Sequence, residues 1–101
     1  MRVEEFLESP FRNQWLKEPG IQVYVRKPLP GKPYDIELAT LNAKHPGKGA
    51  CTRLLNRLEP KLSIYIENVL EPRFAAYFER RGYQRINNAY GGPPCYIRLK
   101  S

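Results

Sequence analysis

Along this chain the spacing of the apolar residues changes several times, and each change marks an element. Near the start, Phe6, Leu7, Phe11, Trp15 and Leu16 recur at intervals that suit one side of helical turns. They predict two short helices, over residues 3–8 and 10–17. Ser9 is then an N-cap, Pro10 takes the first helical position, and Pro19-Gly20 is the stop. From residue 21 the period drops to two. IQVYVRK (21–27) alternates and is rich in β-branched residues, which predicts a strand. PLPGKP (28–33) reads as a turn and YDIELATLNA (34–43) as a second, longer strand, the two forming an antiparallel hairpin. Tyr34, Ile36, Leu38 and Thr40 are expected on one face of that strand, and Asp35, Glu37, Ala39 and Leu41 on the other.

Helical spacing returns with Ala50, Leu54, Leu55 and Leu58, which predict a helix over about 49–59. LSIYIENV (62–69) reads as a strand. Leu70, Phe74, Tyr77 or Phe78, and Arg81 define a further helix, with Pro72 near its start and Gly82 as its left-handed cap. YQRIN (83–87) and CYIRLK (95–100) read as closing strands, the second preceded by a GGPP turn (91–94). There is no internal repeat and no long linker. A strand, helix, strand, helix succession in the middle implies parallel central strands, with antiparallel strands at the ends. The expected fold is therefore α/β (α+β), a mixed sheet flanked by helices, in a single domain over 1–101.

Composition narrows the function classes. Of the 101 residues 42% are hydrophobic and 27% charged, a globular balance. No apolar run approaches the roughly 20 residues of a membrane helix. The opening MRVEEFLESP carries acids where a signal peptide has a basic segment. The expectation is a soluble, cytoplasmic protein with no membrane partner. Cys51 and Cys95 are too few for a disulfide framework and lack metal-ligand spacing, so they read as reduced packing residues. A single histidine, His45, speaks against a metal site or a Ser-His-Asp triad. The net charge of +7 favours anionic ligands without choosing among them.

The sharpest local feature is KHPGKGACTRLLNRLE (44–59), two glycines and two lysines just before the leucine-rich helix. Backbone N–H groups at a helix start have no partner and favour an anion, and glycine lets that anion approach closely. The P-loop and dinucleotide-fold signatures are absent. Read alone, the loop is equally an ordinary turn. Read with ENVLEPRFAAYFERRGY (67–83), it resembles the second half of the GNAT acyl-CoA N-acyltransferase fold, over residues 34–100, with a shortened N-terminal part. In that family a glycine signature before a Leu-Leu helix holds the cofactor's pyrophosphate. Aligning on Leu54-Leu55 places the signature glycines at Gly49 and Cys51, with Pro46 at the opening Gln/Arg position. The other register uses Gly47 and Gly49 and misaligns the leucines.

The resemblance implies acetyl-CoA, or another acyl-CoA, and transfer of its acyl group to an amine of unknown identity. It implies that Gly47, Lys48, Gly49, Ala50, Cys51 and Thr52 cradle the pyrophosphate, that Leu41, Asn42 and Ala43 line the pantetheine arm, and that Asn68 contacts the cofactor. A strand N–H near Leu41–Ala43 would polarise the thioester carbonyl. Glu37 and Glu67 are candidates for the base. The family often places a tyrosine acid in Phe-Tyr-x-x-x-Gly-Phe; here that position is Phe78, and the candidate acid Tyr77 lies one residue earlier, about 100° around a helix. Arg73, Arg80 and Arg81 read as a solvated helix face. The alternative reading is a GNAT-like scaffold with little or no turnover that docks onto a protein partner; the compact size and the Glu-Asn-Val-x-x-x-Arg-Phe run also resemble small phage-encoded GNAT-like proteins, a resemblance compatible with either role. Nucleic-acid binding through the charge and Tyr24, Tyr65, Tyr90 and Tyr96 ranks third, since no such motif is legible. Open sheet edges also admit a homodimer.

Overall fold

A computed structural model describes residues 1–45, 47–69, 72–87 and 91–100; Pro46, Leu70 and Tyr90, singled out above, lie outside them. The elements run α1 (Val3–Glu8), β1 (Asn13–Glu18), β2 (Ile21–Arg26), β3 (Ile36–Ala43), α2 (Ala50–Leu58), β4 (Ile64–Ile66), α3 (Pro72–Arg80), β5 (Gln84–Ile86) and β6 (Cys95–Arg98). The strands form one sheet in the order β1-β2-β3-β4-β6-β5. β3 and β4 are parallel and the other neighbours antiparallel. A mixed sheet with helices packed on it is the expected fold class. Among the described residues no helix is long and apolar enough to cross a membrane.

One element differs in kind. The spacing predicts a helix over residues 10–17, yet Asn13–Glu18 is an edge strand paired with Ile21–Arg26 across the Pro19-Gly20 turn. Gly20 takes the left-handed conformation such a tight connection needs (φ +77°). Ser9 does not open a second helix; it closes α1. Its N–H and its hydroxyl both donate to the Phe6 carbonyl, at 3.0 and 2.7 Å. The helix-like spacing of Phe11 and Trp15 misleads because both are more than half exposed, at 51% and 55%. Only Leu16 and Glu18 turn fully inward, the period of a strand.

The face assignment within β3 also changes halfway along. Tyr24 pairs with Thr40 but Val25 pairs with Leu38, so Ala39 is an extra residue bulged out of the β2–β3 ladder. Past the bulge the alternation inverts. Leu41 joins Ile36 and Leu38 on the core side, while Thr40 and Asn42 are exposed. The expectation that Thr40 shares a face with Leu38 fails for that reason.

All three helices cover one face of the sheet. Val23, Val25, Ile36, Leu38, Ile64, Ile66 and Tyr96 from the strands meet Phe6, Leu54, Leu55, Leu58 and Phe78 from the helices, each at most 3% exposed. At about 25 cal/mol per Å² of apolar surface, side chains of this size each contribute about 1.5–3 kcal/mol by burial. The helices are tied together by ions. Arg57 of α2 holds Glu4 of α1 and Glu18 of β1, and Arg81 beyond α3 holds Glu59 at the end of α2. Arg81 is therefore an interhelix bridge and not part of a solvated face. The opposite face of the sheet, with Trp15, Tyr24, Arg26, Glu37 and Tyr65, carries no helix among the described residues.

Candidate functional site

The geometry that matters lies where β3 and β4 part. Their ladder is three pairs long, Ile36–Leu38 against Ile64–Ile66. One further link, from the Glu67 N–H to the Leu38 carbonyl (3.1 Å), closes it. Beyond this, among the described residues, β3 runs on to Ala43 paired only with β2. The chain after β4 goes the other way: Asn68 adopts a left-handed φ of +53°, which asparagine tolerates better than most residues, and the Val69 N–H bonds the Pro94 carbonyl. The strands therefore diverge, and the outer half of β3 turns an unpaired backbone edge into the opening. Leu41, Asn42 and Ala43 lie on one side of the gap and Glu67 and Asn68 on the other.

At the far end of β3 the chain turns into α2. Gly49 is the N-cap, at φ +83°, and supplies no capping side chain. The first bond inside the helix runs from the Arg53 N–H to the Gly49 carbonyl (2.9 Å), so the amides of Ala50, Cys51 and Thr52 have no acceptor within it. Lys44, Lys48 and Arg53 are exposed around this end, with the Arg53 guanidinium bonded to the Lys48 carbonyl at 3.1 Å. A Cβ at Gly47 would meet nothing within 4 Å; one at Gly49 would meet Arg53 Nη1 at 3.3 Å. Gly47 to Thr52 thus form an exposed, positively charged helix start, in which the amides of Ala50, Cys51 and Thr52 lie outside the helical ladder and the Lys48 N–H bonds the His45 carbonyl at 3.2 Å. Cys51 is no nucleophile there, because burial pushes its thiol up to about 11.

Glu37 and Glu67 meet through an arginine that the sequence patterns did not single out. Arg26 of β2 sits directly opposite Glu37 and donates from Nε at 3.2 Å, while its Nη2 reaches Glu67. Because Glu67 lies one strand further on, the guanidinium spans β3 on the open face, beside the divergence. The second oxygen of Glu37 accepts from the Tyr34 hydroxyl at 3.0 Å. Burial, and then that carboxylate, push the Tyr34 phenol up to about 12, and its ring stacks on Tyr65 at 4.7 Å. Burial also raises the Tyr65 phenol. Cross-strand register brings Arg26 to Glu37, and this cannot be read from one strand at a time.

Tyr77 is placed elsewhere. It lies on α3, in the helix layer, and its hydroxyl is 2.7 Å from Thr52 Oγ1 in the first turn of α2. Phe78, at the position where the resemblance puts an acid, is fully buried against Tyr83 and Tyr96. The structure joins the two glutamates at the divergence and joins Tyr77 to the first turn of α2; it does not bring the three together. Among the described residues no group of His, Cys, Asp or Glu side chains is arranged to hold a metal ion.

A mixed sheet whose two parallel strands splay, followed by a glycine-capped helix, matches the fold expected from the sequence, and a solved structure shares it. The solved structure of an acetyltransferase from Thermus thermophilus is similar to it with a TM-score of 0.67, over 93% of this chain and 68% of that one, at 21% sequence identity. No protein-family model matches the chain, and no curated protein matches it.

Proposed function

We propose that this chain is a small acyl-CoA-dependent N-acyltransferase that moves an acetyl group from acetyl-CoA to an amine. The observation that carries the reading is the divergence of β3 from β4, with the uncapped amides of α2 at the end of the diverging strand. The gap offers a strand's worth of unpaired backbone to an extended thioester arm, and the cradle offers amides to its diphosphate. The residues present suit the ligand: two glycines at left-handed φ, three amides without a helical acceptor, and exposed Lys44, Lys48 and Arg53 lie in one short segment. Bound acyl-CoA supplies an activated carbonyl and a thiolate leaving group.

The chain's own residues then have these roles. The amides of Ala50, Cys51 and Thr52, with Gly47, Gly49 and the Lys48 side chain beside them, hold the diphosphate, and Asn68 lines the opposite wall. A backbone N–H on the free edge of β3, near Leu41 to Ala43, donates to the thioester oxygen as charge develops on it. Glu67 at the divergence, or Glu37 behind it, takes the proton of the attacking amine, directly or through water. Arg26 holds both carboxylates in place. The acceptor is a primary amine of a protein or a small molecule.

A second reading has its own support. Phe78 fills the core where the resemblance implies an acid, and both oxygens of Glu37 are already engaged. Under it the chain is a compact scaffold that binds a protein partner, such as a host protein, and turns over little. Calorimetric titration with acetyl-CoA and with CoA, repeated on Gly49→Glu, decides between them. Binding that the added side chain and negative charge abolish supports the transferase; a wild type that binds neither sinks it.

A further inference from the structure

α3 is fastened to α2 along a single stripe. Tyr77 and Arg81, one turn apart, reach Thr52, Asn56 and Glu59, which recur at helical spacing on α2. The Arg81 guanidinium also lies over the Tyr77 ring, 5.7 Å from its centre. The Arg81 contacts grip the C-terminal half of α2 and its end, where packing needs no further explanation. The Tyr77 contact grips the first turn, at Thr52, whose N–H is one of the three amides left without a helical acceptor.

We infer that Tyr77 is a positioning residue for the anion cradle, acting through Thr52; the inference rests on the acyl-CoA reading above and departs from the acid role that the family resemblance implied. Counting protons leaves either hydroxyl able to donate, and a bound anion selects between the two arrangements. A phenol and a threonine hydroxyl each carry one proton and can accept as well. Only one proton lies between their oxygens, 2.7 Å apart. A diphosphate is acceptor-only. It favours the arrangement in which Tyr77 donates to Thr52 Oγ1 and the Thr52 hydroxyl is left to donate outward. In that arrangement the phenolic proton is committed to Thr52 and is not available to a leaving thiolate. The ring of Phe74 and the guanidinium of Arg81 both pack on the phenol and hold it in place.

The test is calorimetric titration with CoA and, in parallel, with inorganic pyrophosphate, on the wild type, Tyr77→Phe, Thr52→Val, Thr52→Ser and the double variant Tyr77→Phe/Thr52→Val. Tyr77→Phe and Thr52→Val are each expected to weaken CoA binding roughly three- to tenfold, and the double variant no further than the worse single one. Thr52→Ser keeps the hydroxyl and restores most of the affinity. In turnover assays the loss for Tyr77→Phe falls on KM and not on kcat. CoA bound with an affinity indifferent to Tyr77, or a kcat that collapses at unchanged affinity, overturns the inference and leaves the acyl-CoA reading standing. Pyrophosphate binding weakened by Tyr77→Phe in a protein that ignores CoA keeps the cradle and removes the acyl-CoA reading. A wild type that binds neither ligand removes both.

Discussion

Replacing Arg57 by methionine is expected to destabilise the protein by about 3 kcal/mol. Arg57 holds α1 and β1 to α2, with the exposed Lys61 ammonium 3.8 Å from Glu4 beside it. Its Nε and Nη2 donate to the two Glu4 oxygens at 2.8 and 3.1 Å, and Nη2 also meets Glu18. The two halves of this bridge differ in worth. The Glu4 side chain is 30% exposed, so water replaces much of that contact, for about 0–1 kcal/mol. The Glu18 side chain is only 3% exposed, and its other donor is the Val3 N–H at 3.3 Å. Stripping one partner from a buried pair costs about 3–5 kcal/mol, and the partial exposure of Arg57 places this case at the lower end. For a domain of this size the midpoint of thermal unfolding falls by at least about 12 °C. Urea unfolding followed by far-ultraviolet circular dichroism measures the loss. Arg57→Met/Glu18→Met, which removes the stranded charge as well, is expected to recover most of it. The guanidinium holds the Glu4 carboxyl below its ordinary value of 4.5, so Glu4's share is present above that pH and lost as pH falls below it. The gap between wild type and variant therefore narrows in acid. A loss under about 1 kcal/mol for Arg57→Met at neutral pH would refute the reasoning, because it would mean that Glu18 finds water once its partner is gone.

Three further outcomes are expected. Iodoacetamide at a pH of about 8 labels Cys51 slowly in the folded protein and quickly in urea, since a thiol at about 11 in place of 9 holds about 100-fold less thiolate; peptide mass spectrometry reads the ratio. Absorbance titration in alkali finds Tyr34 ionising near 12, with Tyr65 and Tyr83 also displaced upward and all three raised chiefly by burial. Because folding raises these phenols, their contribution is complete below their unfolded value of about 10 and drains away above it, so the protein loses stability as pH climbs past about 10. Gly82→Ala costs about 1–2 kcal/mol in urea unfolding: φ is +89° and nothing lies within 4 Å of the added methyl, so the whole loss is backbone strain. A much larger loss would point to a contact that the structure does not contain.

What the chain order discloses depends on how local the cause is. The strands at 21–26 and 36–43 and the helices at 50–58 and 72–80 follow from spacing, and Gly82 does close α3 in the left-handed conformation expected of it. The bonds that close that turn run from Gly82 to Glu79 and from Tyr83 to Phe78. Residues 13–18 mislead because Phe11, Trp15 and Leu16 have helical spacing, while the competing influence is pairing with a strand across the turn. The bulge at Ala39 is invisible for a similar reason: it exists only in the register between β2 and β3. At the site, the glycine loop and the Glu-Asn pair after β4 are legible as motifs. Arg26 and Tyr34 are not, since their roles come from oxygens of Glu37 and Glu67 that only folding brings near.

The short β3–β4 ladder also governs how the chain assembles. β1, β2 and β3 are successive antiparallel neighbours, so the first half of the sheet pairs strands adjacent in the chain, across connections of two and nine residues. β4, β6 and β5 make the second half. The two halves meet at three residue pairs, each joining positions 28 apart in the chain, such as Ile36 and Ile64. The first half is thus the fast, local part of folding, and the second must wait for α2 to form and return the chain. In native-state hydrogen exchange the seam amides, Glu67 foremost, open together and ahead of the β2–β3 ladder. The seam where β3 and β4 part is then also the place where the molecule is joined last.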